Sequence, residues 1–179
     1  MDNKKLTKLE TISSRLVITN PYWDYKIDKY SYPAGGEGEY HYVHSKGATM
    51  VVPVLNDKII MVSQYRYLNQ RNSLEFPGGG IKPGLEPEQN AREELAEEAG
   101  YKAGEMAYAG GFNPFNGVTN EICHVFIARG LQKTAARPDE SEEFFVELLT
   151  EKEIERLIKS GDIWDGMTLA AWSLFRNIT

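Results

Sequence analysis

The chain reads as an α+β protein, a mixed β-sheet with helices packed on it. Runs of β-branched and aromatic residues, alternating or continuous, dominate the first two-thirds of its 179 residues. Helical signals are few, one stretch after Pro87 and two after Thr150. No internal repeat, heptad or low-complexity segment points to a solenoid or coiled coil. Few helices among many strands are the mark of an α+β layering.

Size and composition bound the rest. The length fits one domain, or one domain with a small appendage. At 41% hydrophobic and 26% charged the composition is that of a soluble globular protein. A net charge of −6 argues against a general nucleic-acid or membrane surface. It leaves room for an anionic substrate, because a bound metal reverses the local sign. The opening MDNKKLTKLE has no apolar run after its lysines, so no secretory signal is expected, and no stretch approaches the ~20 apolar residues of a membrane span. A single cysteine, Cys123, excludes an internal disulfide and suggests a reducing compartment, with cytoplasm as the default.

Taken in order, Leu6 to Thr19 mixes β-branched and polar residues and reads as one or two strands, broken at Asn20-Pro21. The following strand places Trp23, Tyr25 and Ile27 on one face. Pro33 to Gly38 is a turn, and a further strand starts at Glu39. This N-terminal part is a small antiparallel sheet with little apolar mass of its own. Ala48 to Leu55 is nearly all apolar, Asn56-Asp57 turns the chain, and Lys58 to Gln64 returns as the second arm of a hairpin. Leu74 to Phe76 is a short strand running into a glycine turn, Gly78 to Gly80. A helix starts near Pro87 and stops at Gly100, with Ala91, Leu95 and Ala99 as a narrow apolar stripe. Met106 to Phe112 and Glu121 to Ala128 are strands, followed by a polar loop through PDESEE and a last strand, Phe144 to Leu149. Thr150 with Glu153 forms a capping box for a helix ending at Gly161, and Thr168 to Asn177 is a final helix with Leu169, Trp172 and Phe175 on its apolar face.

The helix after the glycines carries the chemistry. Between Glu86 and Ala99 it holds six glutamates, one arginine and no lysine. Glu93 and Glu97, like Glu94 and Glu98, stand four residues apart, a like-charge spacing that costs about 0.2–0.5 kcal/mol per pair. Glu94, Glu97 and Glu98 project to one side, and such oxygen ligands suit Mg²⁺, or Mn²⁺, shared with substrate phosphates. The glycines let the backbone approach a ligand and offer a carbonyl, that of Gly78. The alternative is a solvated acidic face.

These residues resemble the Nudix box: Gly, five residues, Glu, seven residues, Arg-Glu-Ile/Leu/Val, any, Glu-Glu, any, Gly-Ile/Leu/Val. Gly79, Glu94-Leu95, Glu97-Glu98 and Gly100 match, and Tyr101 fills the last hydrophobic position. Leu85 stands where the first glutamate belongs, and Glu93 where the arginine belongs. In the family those two commonly pair and orient the loop on the helix; here Glu86 and Arg92 are candidates for a displaced substitute. Around the box, GATMVVPV, IIMVSQYRY, LEFPGGG, NPFNGVTNEICHVFIA and DIWDGMTLAAWSLF are similar to the ADP-ribose pyrophosphatase branch.

That resemblance implies a Nudix-type α/β/α sandwich over residues 47–179 and an N-terminal sheet over residues 1–46 exchanged between subunits of a homodimer. It implies Mg²⁺-dependent hydrolysis of the pyrophosphate of ADP-ribose or a related sugar nucleotide, giving a nucleoside monophosphate and a sugar phosphate. Glu94, Glu97 and Glu98 would hold the metal with the Gly78 carbonyl, Glu97 thereby belonging to the catalytic set. Glu140 or Glu142, in PDESEE, would be the general base or an extra metal ligand, and Arg66, at a strand end, would hold phosphate or else form a surface salt bridge. The branch's Pro-Gly in the loop after the box is Asn116-Gly117 here, so Asn116 is a substrate-contact candidate and another nucleoside diphosphate sugar stays open. A dinucleoside polyphosphate, a capped RNA end, or nucleotide sensing without catalysis are the rival readings. Trp23, with Tyr25 and Tyr42, would stack on a base or pack in a dimer interface. Glu75 would orient a ligand or serve structure; Cys123 is a core residue; His41, His44 and His124 lack metal-site spacing.

Overall fold

The computed structural model describes residues 6–136 and 143–178, and these form two compact units. The first comprises the described residues of Met1–Lys46 together with Phe115–Glu121. Its three strands, β1 (Glu10–Thr19), β2 (Asp24–Ser31) and β3 (Glu37–His44), make an antiparallel sheet in that order. The turn between β2 and β3 uses Gly35 and Gly36 at φ +89° and +100°, a region open to glycine. Every residue of β1 is exposed, including Ile12, Leu16 and Ile18.

The second unit, Gly47–Pro114 with Ile122–Thr179, holds a seven-stranded mixed sheet and three helices. Its strands are β4 (Ala48–Leu55), β5 (Lys58–Arg66), β6 (Arg71–Glu75), β7 (Gly78–Gly80), β8 (Tyr101–Phe112), β9 (Cys123–Lys133) and β10 (Phe145–Leu149). The main path runs β10-β5-β4-β9-β8, with β6 on β5 and β7 on β4. Among the described strands of this unit, β4 and β9 alone pair in parallel. The expected β4–β5 hairpin is present but short, with pairing limited to Val54–Ile59 and Leu55–Lys58, because β7 takes the same edge of β4 over Ala48–Met50 while β9 pairs along the opposite edge.

Alternation along β4 divides the core in two. Met50 and Val52 pack with Met61, Val125 and Ile127 against Ile154 of α2 (Glu151–Ser160) and Ala171, Trp172 and Phe175 of α3 (Gly166–Arg176). Val51, pointing the other way, packs with Ile60, Val62 and Phe126 against Ala91, Leu95 and Ala99, the expected stripe of α1 (Pro87–Glu98). One helix covers one face and two the other, an α/β/α sandwich. The Thr150–Glu153 capping box forms, and Gly161 ends α2 at φ +81°. Among the described residues, no helix is long and apolar enough to cross a membrane.

Candidate active site

The glycines that read as a turn form a strand. Gly78 to Gly80 pair antiparallel with Met50 to Ala48. A Cβ on Gly78 would stand 2.2 Å from the Thr49 carbonyl oxygen, so only glycine lets β7 approach β4 there. A Cβ on Gly79 would stand 3.0 Å from all three atoms of the Glu94 carboxylate, which packs directly over this glycine. The strand is a floor on which acidic side chains rest.

Helix α1 supplies those side chains. Because Ala91 and Leu95 are fully buried against the sheet, the flank carrying Glu94 and Glu98 is drawn down beside β7, leaving them 8% and 7% exposed. The Gly78 amide donates to Glu98 Oε2 at 3.0 Å, the contribution of Gly78 that the structure records. Glu93 and Glu97 remain about half exposed on the outer flank.

The loop between β7 and α1 is fastened in a way the sequence did not suggest. Asn90, on the first turn of α1 and fully buried, accepts from the Lys82 amide at 2.9 Å and donates to Thr49 Oγ1 at 2.9 Å. Glu86 is the N-cap and forms a capping box with Gln89. Arg92 binds Glu88, at 2.9 and 3.0 Å, and the Ala103 carbonyl, so the displaced pair expected between Glu86 and Arg92 is replaced by one between Glu88 and Arg92. The i,i+4 spacing of Glu88 and Arg92 makes them neighbours on the helix, whereas Glu86 is occupied at the cap.

A lysine does reach the acidic face. Lys82 lies outside the helix, but the reversal at Pro83-Gly84, with Gly84 at φ +84°, carries it back. Its Nζ stands 2.7 Å from Glu97, 3.6 Å from Glu93 and 3.9 Å from Glu94. Burial disfavours the ammonium, but the Glu97 hydrogen bond and the charges of Glu94, Glu97 and Glu93 outweigh that and hold its pKa above the ordinary value. Among the described residues, no three acidic, histidine or cysteine side chains are gathered tightly enough to enclose a metal ion as they stand. Even so, the donors are hard carboxylate oxygens, and the Lys82 ammonium already sits within 3.9 Å of two of them, Glu94 and Glu97, so the residues fit a divalent oxygen-ligated metal.

Arg66, expected to hold phosphate, turns its guanidinium onto Glu75, with Nε 2.7 Å from Oε1 and Nη2 on Oε2. This fork raises the Arg66 pKa, against the opposing effect of burial, and it accompanies a Glu75 only 2% exposed. Trp23 and Asn116 belong to the first unit, and the carboxylates to the second. Trp23, just before β2, is 42% exposed, and Asn116 is exposed in the loop fastened to β3 by the Val43 amide on the Val118 carbonyl. Tyr25 bonds His41 at 2.6 Å, and Cys123 is fully buried. Glu140 and Glu142 lie outside the described residues.

Sequence reasoning missed Asn90 and Lys82. A signal existed for the first: a polar residue immediately beside the apolar stripe of a helix is positioned to be buried. The second had none in the helix, because its role depends on the reversal that precedes it.

A model of the NUDIX domain family matches residues 44–171. The methanol dehydrogenase activator of Bacillus methanolicus is 34% identical over 172 residues, covering 93% of this chain and 92% of its own. The ADP-ribose pyrophosphatase of Bacillus subtilis is 32% identical over 165 residues, covering 90% and 89%. A crystal structure of an ADP compounds hydrolase superposes with a TM-score of 0.85 at 20% identity, over 97% of this chain and 95% of that one.

Proposed function

This chain belongs to the NUDIX domain family, and from that premise we propose that it hydrolyses the pyrophosphate bond of ADP-ribose or a closely related sugar nucleotide, yielding a nucleoside monophosphate and a sugar phosphate. The observation that carries this reading is the floor of β7 with Glu94 and Glu98 seated on it and Lys82 holding cationic charge among Glu93, Glu94 and Glu97. The relative named for ADP-ribose supports the substrate class.

In this reading Glu94, Glu97, Glu98 and the Gly78 carbonyl hold Mg²⁺, which supplies charge neutralisation on the phosphoryl oxygens. The chain's own residues do the rest. The Gly78 amide fixes the Glu98 carboxylate, and Gly79 clears the space that the Glu94 carboxylate fills. Asn90 fixes the loop ahead of the helix. Glu140 or Glu142 takes the proton from the attacking water, Arg66 steadies phosphate from its seat on Glu75, and Trp23 and Asn116 contact the nucleotide. The exposed apolar residues of β1, which among the described residues is an edge strand beside β2, support a homodimer through the N-terminal sheet. The lone buried Cys123 accords with the cytoplasm.

Glu98→Gln is the test, because glutamine keeps an oxygen for the Gly78 amide while removing the charge. Assayed with Mg²⁺ against a panel of sugar nucleotides, dinucleoside polyphosphates and capped RNA, the wild type should release phosphatase-sensitive phosphate from ADP-ribose-type compounds. The variant should fold normally and release almost none. Near-normal turnover in Glu98→Gln would defeat the assignment. A sensor is favoured instead by tight nucleotide binding without product, a reading drawn from Leu85 and Glu93 and from the activator name of the B. methanolicus relative.

A further inference from the structure

We infer that Lys82 is a built-in counter-cation of the metal site, transferring from Glu97 to Glu93 when a divalent ion binds and so keeping the loop ahead of α1 fastened to the helix. This rests on the metal reading of Glu94, Glu97 and Glu98 given above. The Lys82 ammonium stands 2.7 Å from Glu97 and 3.9 Å from Glu94, two of those three carboxylates. A monovalent and a divalent cation compete for these carboxylates, because like charges a few ångströms apart repel even when partly solvated. The competition displaces the ammonium toward Glu93, which is 3.6 Å away already, half exposed, and outside the ligand set.

The backbone of Lys82 need not move for this exchange. Its amide is held by Asn90 at 2.9 Å, so the side chain swings from a fixed base through its flexible methylenes. The geometry also accounts for two departures from the box pattern together. Where the pattern has an acid in the loop and a base on the helix, this chain has a base in the loop, Lys82, and an acid on the helix, Glu93. The tether survives with its signs reversed and its loop residue moved three positions earlier than Leu85.

A double-mutant cycle on Mn²⁺ affinity tests this, read from free Mn²⁺ by electron paramagnetic resonance in wild type, Lys82→Met, Glu93→Gln and the double variant. Lys82→Met removes the competitor and should tighten Mn²⁺ binding about 2- to 5-fold, the scale of an exposed ion pair. Glu93→Gln removes the ammonium's alternative partner and should weaken binding by a similar factor. In the Lys82→Met background, Glu93→Gln should then have little effect, because there is no ammonium left to relocate. Lys82→Arg should stay near wild type. In thermal unfolding, Lys82→Met should lower the midpoint of the metal-free protein and enlarge the gain on saturating Mn²⁺. A merely structural lysine would give changes of one sign in both single variants. Unchanged or weaker Mn²⁺ binding in Lys82→Met, or strictly additive effects in the cycle, overturns the inference while leaving the metal site standing. Failure of the wild type to bind Mn²⁺ overturns both.

Discussion

Asn90→Ala should be among the more damaging single substitutions near the site, and its cost can be worked from two hydrogen bonds. The wild-type side chain is fully buried, accepting from the Lys82 amide and donating to the Thr49 hydroxyl, each at 2.9 Å. Truncation removes both bonds, each contributing about 0.5–1.5 kcal/mol net. It also orphans Thr49, which is 0% exposed, and an unsatisfied buried group costs about 1–3 kcal/mol. Because these overlap, the loss should total about 2–4 kcal/mol. For a chain of this size about 1 kcal/mol shifts Tm by roughly 2–4 °C, so the drop should be on the order of 5–15 °C. Urea unfolding and calorimetry read the global effect, and amide exchange at Lys82 should accelerate in the variant as the local one. Thr49→Val in the Asn90→Ala background should cost less than Thr49→Val alone, because the hydroxyl has already lost its donor. A destabilisation below about 0.5 kcal/mol, within the range of an ordinary surface substitution, would refute the claim that Asn90 fastens the loop.

Three further outcomes follow from the geometry. Gly79→Ala places a Cβ 3.0 Å from the Glu94 carboxylate, so hydrolysis should fall at least about tenfold, with Tm nearly unchanged because the carboxylate can shift outward; a steady-state assay beside a melting curve checks both. Arg66→Met leaves the buried Glu75 without its fork and should cost about 1–3 kcal/mol, less than for a fully enclosed pair because the guanidinium is half exposed; Arg66→Met with Glu75→Gln should recover most of that in urea unfolding. Glu153 accepts from the Thr150 amide and hydroxyl, which hold its pKa below the usual range. A depressed folded-state pKa gives stability that is present above the unfolded value of about 4.3 and lost as pH falls through the folded value. The stability difference between wild type and Glu153→Gln should therefore be constant from about pH 6 to 8 and close in more acidic solution.

What the sequence made legible was what local chemistry decides. The Thr150–Glu153 box and the stripe of Ala91, Leu95 and Ala99 formed as read, because each depends on residues within one or two helical turns. The glycine run was misread, because its strand exists only through pairing with β4, some thirty residues earlier (Gly79 opposite Thr49). The β4–β5 hairpin was legible as a turn but not as a short one, since β7 takes the same edge of β4 from a distance. The acidity of the helix was legible, but its division was not: Glu94 and Glu98 are buried beside β7 while Glu93 and Glu97 stay on the outer flank, a split set by how Ala91 and Leu95 seat the helix on the sheet. Nor was the carboxylates' partner Lys82 legible, because a loop residue's reach depends on the φ of Gly84 and the anchor on Asn90.

The acidity of α1 raises the question of what holds that helix in place. Its two like-charge pairs at i,i+4 cost about 0.4–1 kcal/mol together. Burying Leu95 completely contributes about 1.5–3 kcal/mol on its own, with Ala91 and Ala99 adding to it. Packing therefore outweighs repulsion before any cation is counted, and neither Lys82 nor a metal is needed for the helix to form. What a cation decides is where the carboxylates sit on a helix that is already seated. It follows that Leu95→Ala should unfold the protein readily, at about 2–5 kcal/mol, while Lys82→Met should leave far-ultraviolet circular dichroism unchanged. Loss of helix signal in Lys82→Met would reverse that order and make the lysine part of the folding core.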